Sequence, residues 1–550
     1  MTSHHSLLLA VGLLVCFFAA CDGHDPDEVG DGVGRQGGSI TVAQTSQPDF
    51  LDPALSYSVN SWEPMWLVYT PPITYRRAEG REGTELVPGL ADALPEISAD
   101  GKTVRFRFRA GLRFSDGTLL RASDFEHTVK RVLRLESGGS AFYLGIVGAQ
   151  EYVQADNATA DISGIESDNA TREVVVRLTE RDGTILNVLA MNFAGLVPGD
   201  TPFENMTKNP PPGIGPYKIT ESRPNRQFVL ERNRGFKIPG IPGGKVDRIT
   251  TRIIPSTQRQ AVMVMRGELD YMQDPPPPDL LAEIRTKYAD RFAEHSTTTT
   301  YYFFMNVRAP PFDRIEVRRA VNYALDSRVL VRLFGGRLEP SCNFLPWNLV
   351  GYEKIDPCPY GNPRGPADLN RARELVEAAG ASGARVKVWT NSQPLASYVG
   401  AYLEDMLEQI GLAPKLVTIS PAVYFQTLGN LGTDAQIGFA NWYQDFPHPA
   451  NFLFLVDGDS IQPTNNQNLG NVDDAELNRL IDRVERATPE EAADVAAAAD
   501  RRIVEQAYVA PYGSERVSTF LSERMDFDDC SLFHPIYQND YSSFCLKSPP

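Results

Sequence analysis

The sequence predicts an α/β fold in which mixed sheets are flanked by helices. The first observation is the order strand, helix, strand over residues 385–390, 395–410 and 415–419, which predicts a parallel strand pair joined by a crossover helix. The second is alternation of apolar and basic residues over 104–109, which is typical of a half-buried strand. The third is size, because 550 residues with 42% hydrophobic and 22% charged content suit a soluble protein with several cores.

Two helix starts have the residues of a capping box. Ser123 precedes an apolar stripe and has Glu126 three residues later. Thr488 is followed by proline at the first turn and by Glu491 at the third position. We therefore expect a helix to begin after each of these two hydroxyl side chains.

The chain begins with an export signal. Residues 7–20 are the apolar run LLLAVGLLVCFFAA, which is shorter than the roughly 20 residues that span a bilayer and suits a signal peptide. The run ends in two alanines before Cys21, as in the bacterial lipobox, so residues 1–21 are predicted to be a lipoprotein signal with Cys21 as the lipidated residue. An ordinary secretory signal that is cleaved nearby is the alternative. Residues 22–38 are rich in Asp and Gly and are expected to form a flexible tether.

The four cysteines beyond the signal are expected to form disulfides, because the protein is predicted to be exported. Three connectivities are possible, of which the local one, Cys342–Cys358 with Cys530–Cys545, is the simplest. Each bond would close a loop of about fifteen residues and contribute about 3 kcal/mol. The sequence has no Cys-x-x-Cys spacing and no Cys/His cluster, so neither a metal site nor a cofactor is expected.

Composition and missing motifs argue against two function classes. A net charge of −17 argues against a nucleic-acid partner, because phosphate binding needs a basic surface. A secreted hydrolase is the least favoured function, since the sequence has neither the Gly-x-Ser-x-Gly elbow nor the His-Glu-x-x-His motif, and no enzyme activity is expected. His448 is the one mildly suggestive histidine, and we predict that it is a solvent-facing turn residue.

Residues 436–452, QIGFANWYQDFPHPANF, contain the candidate ligand site. The apolar residues at its start predict a buried strand, and the two prolines that follow end the strand, because proline has no N–H for the ladder. Asp445, Trp442 and Tyr443 therefore lie where a strand leaves the sheet, a place where ligand clefts form in open α/β sheets. A carboxylate among aromatic rings suits a cationic or amine-bearing ligand. The alternative is that Asp445 caps the turn and Trp442 belongs to the core.

Five motifs occur along the chain in a distinctive order. They are LVPGLA at 86–91, FRFRAGLRFSDGTLLRASDFEHTVKRVL at 106–133, GIGPYKI at 213–219, RRAVNYAL at 318–325 and the turn at 442–452. The ordered set resembles the family 5 extracytoplasmic solute-binding proteins of ABC transporters, the oligopeptide- and dipeptide-binding kind. The resemblance spans nearly the whole mature chain.

The resemblance implies two α/β lobes around a hinged cleft, with an extra domain inserted in the first lobe, as in type II periplasmic-binding-protein-like folds. The first lobe would comprise residues 39–72, 198–297 and 511–550, the inserted domain 73–197 and the second lobe 298–510. Such proteins close over a solute and present the closed form to the transmembrane subunits of an ABC permease. We expect a monomer, held on the extracytoplasmic face of the bacterial cell membrane by its N-terminal lipid.

The resemblance also implies the ligand contacts. They are Asp445, Asn441, Trp442, Tyr443 and Phe439 in the second lobe, and Ser58, Val59 and Asn60 in a first-lobe loop. In peptide-binding members the aspartate of the Trp-x-x-Asp turn receives the free α-ammonium, and the residues before it run beside the peptide main chain. Phe439 stands where some peptide binders have a basic residue, which argues against a short peptide of fixed length. The alternative cargo is a non-peptide solute such as a sugar or a metal chelate.

Overall fold

The computed structural model describes residues 35–135, 137–155 and 157–548. The predicted signal, its Cys21 and residues 22–34 of the predicted tether lie outside the described residues. Arg35 N donates to the Leu546 carbonyl at 3.2 Å and Gly37 N to the Lys245 carbonyl at 2.8 Å, so the chain is hydrogen-bonded to the rest of the protein from its first described residue. No helix in the described part of the chain is both long and apolar enough to cross a membrane.

The first lobe is built on a sheet that the described residues form from five strands. In spatial order these are Tyr271–Met272, Ser39–Gln44, Arg248–Ile253, Gln227–Arg232 and Tyr217–Arg223. The first three are parallel, and the other two continue the sheet antiparallel. Val42 packs in the core on one face and Ala43 in the core on the other, as the two-residue period of a strand requires.

The second lobe is built on a mixed sheet with a core on each face. In spatial order its strands are Phe292–Ser296, Val509–Phe520, Thr299–Met305, Ile437–Tyr443, Arg385–Asn391 and Ala413–Ile419, and Leu338–Glu339 also pairs with Val509–Phe520. The last two strands of that order are parallel, and helix Pro394–Gln409 connects them. The predicted strand–helix–strand unit is therefore confirmed.

One pair of antiparallel strands connects the two lobes. Phe292–Ser296 pairs with residues 516–520, and the other end of the strand Val509–Phe520 pairs with Thr299–Met305. Leu521, the next residue, bridges to Tyr271 in the first-lobe sheet. The chain therefore enters and leaves the second lobe along one hydrogen-bonded pair of strands, the connecting ribbon.

The inserted domain has its own sheet and core. Its described strands, in spatial order, are Glu96–Ile97, Thr103–Arg107, Glu173–Arg177 and Ile165–Asp168. Helix Ser123–Arg134 turns its apolar face to this core. The same helix carries Arg131, whose guanidinium donates to both carboxylate oxygens of Asp52 at 2.9 and 2.8 Å. Both side chains are 0% exposed, so a fully buried ion pair joins the inserted domain to the first lobe.

The remaining elements cover these sheets. The other described α-helices are Val59–Met65, Ala149–Gln154, Ile185–Val188, Thr257–Met265, Pro278–Lys287, Ile315–Ala324, Ser327–Leu333, Leu369–Ala378, Tyr424–Leu428, Ala450–Leu453, Ala475–Glu485, Pro489–Glu505 and Phe527–Cys530. Short strand pairs join Ile73–Tyr75 to Leu86–Pro88 and Phe533–His534 to Gln538–Asn539.

Both locally paired disulfides are present, so that prediction is confirmed. The S–S distances are 2.12 Å in Cys342–Cys358 and 2.02 Å in Cys530–Cys545. Among the described residues, the one cluster of metal-ligating types is Asp526 with Cys530 and Cys545. Its two sulfurs are bonded to each other, so they are not free thiolates that could hold a metal ion.

Candidate ligand site between the two lobes

The strand Ile437–Tyr443 ends at the boundary between the lobes. On one side it pairs along its whole length with Thr299–Met305. On the other side its ladder with Arg385–Asn391 covers only Ile437 and Gly438. Beyond Gly438 the strand has no ladder with this neighbour, and the Tyr424 hydroxyl bonds to both strands, at the carbonyls of Trp389 (3.1 Å) and Phe439 (3.0 Å).

Asp445 is a buried acid, 6% exposed, held by side chains from both lobes. Within its own turn, Asn451 Nδ2 donates to Asp445 Oδ2 at 2.8 Å, and Asp445 N donates to Asn451 Oδ1 at 2.8 Å. From the first lobe, the Tyr57 hydroxyl donates to the same Oδ2 at 3.0 Å. Burial raises the pKa of Asp445 to about 7, although the hydrogen bonds from Asn451 and Tyr57 act in the opposite direction.

Tyr57 is the first-lobe side of this contact, and the sequence did not predict it. Its ring stacks on Trp62 at 5.5 Å and meets the edges of Phe193 and Trp442 at 5.0 and 5.8 Å. Gly138 leaves room for the ring, because a Cβ there would lie 2.5 Å from Tyr57 Cδ1. Tyr57 therefore contacts the first lobe, the inserted domain and the second lobe at once.

Trp442 packs beside Asp445 with its polar atom unsatisfied. The indole lies 5.1 Å from the ring of Phe454, in an edge-to-face arrangement. Its Nε1 is buried and has no hydrogen-bond partner among the described residues. An unpaired buried donor costs about 1–3 kcal/mol, so an acceptor that reached this N–H would be favoured.

Tyr443 lies on the opposite face of the strand, in a polar cluster. Its hydroxyl is 3.0 Å from the hydroxyl of Tyr301 and donates to Glu515 Oε2 at 3.2 Å. Glu515 is in turn paired with Arg337 at 3.0 Å, and both side chains are 5% exposed. The phenol of Tyr443 is therefore bonded to Tyr301 of the second lobe and to Glu515 of the connecting ribbon.

Phe439 belongs to an aromatic group on the same strand. Its ring stacks on Tyr424 at 4.8 Å with an interplanar angle of 10° and lies 6.4 Å from Phe425. The Tyr424 hydroxyl donates to the Phe439 carbonyl at 3.0 Å. Asn441, two residues further on, is half-buried and is paired across the ladder with Tyr301.

The sequence pattern that defines the bacterial extracellular solute-binding proteins, family 5 Middle, matches residues 85–463, which is more than half of the chain. The chain belongs to this family. Its class of activity is therefore the binding of a solute outside the cytoplasm, as the ordered motifs predicted.

Known proteins resemble this solute-binding protein over most of its length. The glutathione-binding protein GsiB of Shigella dysenteriae serotype 1 (strain Sd197) is 24% identical over 425 residues, which are 76% of this chain and 74% of that protein. Di/tripeptide-binding protein 1 of Pseudomonas aeruginosa (strain UCBPP-PA14) is 24% identical over 429 residues, 74% of this chain and 76% of that protein. The solved structure of clavulanic acid biosynthesis oligopeptide binding protein 2 has a TM-score of 0.82 at 26% identity, and the match covers 95% of this chain and 100% of that one. The predicted two-lobed α/β fold is confirmed.

In this family 5 protein, Ser58, Val59 and Asn60 lie at the start of a helix rather than in a loop. Helix Val59–Met65 begins directly after Ser58. Their polar groups are bonded inside the first lobe: Ser58 Oγ donates to Asp49 at 2.9 Å, and Asn60 Nδ2 donates to Ser46 Oγ at 3.0 Å. The side chain that reaches Asp445 is that of the preceding residue, Tyr57.

His448 is buried, so the prediction of a solvent-facing residue was wrong. Its Nδ1 accepts from Ala450 N at 3.1 Å, which assigns the proton to Nε2. Nε2 then donates to the Ala487 carbonyl at 3.0 Å. Burial lowers the pKa of His448, and this neutral ring fixes the turn of the solute-binding protein that carries Asp445.

Proposed function

We propose that the protein binds a peptide, or another solute with a free ammonium group, in the cleft between its lobes. The observation that carries this proposal is the buried Asp445, which is bonded across the cleft to Tyr57. A buried carboxylate whose pKa is raised by desolvation gains most from a cation, because an opposite charge favours its ionised form. A solute that touches both walls also favours closure, since it binds the closed form better than the open one.

The strand that leads to Asp445 supports a peptide in particular. In this register residues 441–443 lie past Asn391, the last residue of the parallel neighbour, and pair with residues 299–301 on one side, so a peptide main chain could add along their other side by strand pairing. Trp442 Nε1 offers a buried donor beside the same path. Side chains of the peptide would meet the rings of Phe425 and Phe439, which suits apolar groups more than acidic ones.

The proposal includes the domain division, the membrane anchor and the permease to which the solute is delivered. We place the first lobe at residues 39–72, 198–297 and 511–550, the inserted domain at 73–197 and the second lobe at 298–510, with the strands Phe292–Ser296 and Val509–Phe520 passing between the lobes. Cys21 carries a lipid that anchors the monomer on the outer face of the membrane, and the closed form delivers its solute to the transmembrane subunits of an ABC permease. Support comes from the family and from the lipobox-like end of the signal.

Acetylating the N-terminus of a peptide is expected to lower the affinity of the protein for it about 30-fold or more, because the amide cannot pair with Asp445. The protein is purified natively, its co-purified solute is identified by mass spectrometry, and calorimetry then compares trialanine with acetyl-trialanine. C-terminal amidation of the same peptide is the matched control and should change affinity much less. Equal affinities for the free and acetylated peptides would rule out ammonium recognition.

Affinity for such a peptide is expected to be highest between about pH 7 and about pH 8. Asp445 must be ionised to hold the ammonium, so affinity falls as the pH drops below the carboxyl pKa of about 7. The peptide amine loses its own charge above about pH 8. Calorimetric titration across this range checks both limbs, and both should disappear in Asp445→Asn, because each arises from the pair between the carboxylate and the ammonium. An acid limb that persists in Asp445→Asn would assign the titration to another group.

A further inference from the structure

A loop of the inserted domain lies against a corner of the second lobe at a contact separate from Asp445. The loop is residues 180–183, and the corner is residues 485–491, where one helix ends and the next begins. Gly183 N donates a hydrogen bond to the Glu485 carbonyl at 2.7 Å. These two segments together are named the outer contact.

Gly183 fits the outer contact because it has no side chain. A Cβ at this position would lie 1.9 Å from the carbonyl oxygen of Ala487, a backbone atom that no rotamer change can move. Gly183 is not one of the glycines with a positive φ, so space rather than backbone conformation requires glycine here. Any larger residue must therefore displace the loop from the corner.

Two ion pairs flank the glycine and cross the same boundary. Arg486 pairs with Glu180 at 2.7 Å, and Arg181 pairs with Glu491 at 3.3 Å. All four side chains are half-exposed, so each pair alone contributes little to stability. Glu491 is held in place because its carboxylate also accepts from Thr488 N at 3.0 Å, in the capping box of its helix.

A chain of contacts joins the outer contact to the ligand turn. The Ala487 carbonyl, against which Gly183 packs, accepts the hydrogen bond from His448 Nε2 at 3.0 Å. His448 lies three residues after Asp445 and is 0% exposed. The ring of Phe446, between them, meets Phe142 of the inserted domain at 6.0 Å. Displacing the corner would therefore displace the turn that carries Asp445.

We propose that the outer contact is a latch that closes together with the ligand cleft, so that the inserted domain takes part in retaining the solute. The inserted domain is covalently part of the first lobe and is fixed to it by the buried Asp52–Arg131 pair, so it moves with that lobe. The corner belongs to the second lobe. The latch therefore forms only when the two lobes come together. Retention of a solute rests on the proposed function, whereas the closing of the latch does not.

Gly183→Val tests the latch, with Gly243→Val in the first lobe as the matched control, since a Cβ at Gly243 meets nothing within 4 Å and Gly243 has no positive φ. Gly183→Val is expected to bind trialanine at least about tenfold more weakly, mainly through faster release, because it loses closed-state contacts that the control keeps. Small-angle scattering with trialanine should give a larger radius of gyration for Gly183→Val than for wild type and Gly243→Val. If Gly183→Val had the same affinity for trialanine and the same radius of gyration as wild type, the proposal would be overturned.

A second pair of variants keeps the test independent of folding and of the solute. Arg486 is half-exposed, so Arg486→Glu should fold. Without any peptide, hydrogen exchange in segments 180–183 and 485–491 should be faster in this variant than in wild type. The charge-reversed double variant Glu180→Arg/Arg486→Glu should restore protection. If the exchange result holds but acetyl-trialanine binds as tightly as trialanine, the proposed function fails and the latch stands. Unchanged exchange in Arg486→Glu with normal peptide binding overturns the latch alone.

Discussion

Asp445→Ala is expected to lower affinity for an amine-terminated peptide about 30-fold or more, which corresponds to about 2 kcal/mol. In this variant the ammonium would be buried beside Trp442 and Tyr57 without an anionic partner, and a buried unpaired charge is costly. The loss should appear mainly as faster dissociation, because the pair is desolvated in the closed form. Calorimetry and stopped-flow release measurements give both quantities.

Two further variants separate charge from shape at this site. Asp445→Asn keeps the size of the side chain and should lose nearly as much affinity as Asp445→Ala. Asp500→Asn is the matched control, since Asp500 is another buried acid of the second lobe, with a pKa raised to about 6 by burial, and its carboxylate accepts from Phe344 N at 2.9 Å. Full affinity in Asp445→Asn would show that the carboxylate charge is not what holds the solute.

Arg131→Met is expected to destabilise the protein by about 3–5 kcal/mol, the largest stability effect that we predict. It leaves the carboxylate of Asp52 buried and unpaired, because both side chains are 0% exposed. Asp52 would retain only hydrogen bonds such as those from Ala54 N at 3.1 Å and Met206 N at 3.0 Å. The inserted domain should therefore loosen from the first lobe before the second lobe unfolds.

Denaturant unfolding, followed by circular dichroism and by limited proteolysis of the inserted domain, measures this change. The matched control is Arg105→Met on the sheet of the same domain, where the pair with Glu173 is half-exposed. That substitution should cost no more than about 1 kcal/mol. Equal stability of the two variants would show that the buried pair does not hold the inserted domain in place.

The sequence predicted helix capping correctly where the hydrogen-bond partners are close in sequence, and wrongly where they are distant. Thr488 and Glu491 form the predicted capping box, with each side chain bonded to the backbone of the other residue. Ser123 does not cap its helix: it is the first helical residue, its N–H donates to Asn169 Oδ1 at 3.0 Å, and Glu126 accepts from Ile162 N at 2.9 Å. Those partners lie 46 and 36 residues away along the chain, so no short pattern reveals them.

The candidate site follows the same rule: residues placed by local sequence were predicted, and contacts between distant residues were not. Asp445 and Trp442 were predicted because a strand followed by two prolines places them at an edge of the sheet. Tyr57 was not predicted, because its role depends on a contact between residues 388 positions apart. Nor does the sequence around Tyr443 show that its hydroxyl bonds to Glu515, since that acid comes from the connecting ribbon.

The connecting ribbon restricts how the lobes can separate. Sliding its two strands past each other would break the backbone hydrogen bonds between Phe292–Ser296 and residues 516–520, whereas twisting or bending the pair keeps them. We therefore expect opening to be a rotation about an axis near the ribbon, with little translation. A solute would then enter from the side opposite this axis, where a small angular change produces the widest gap.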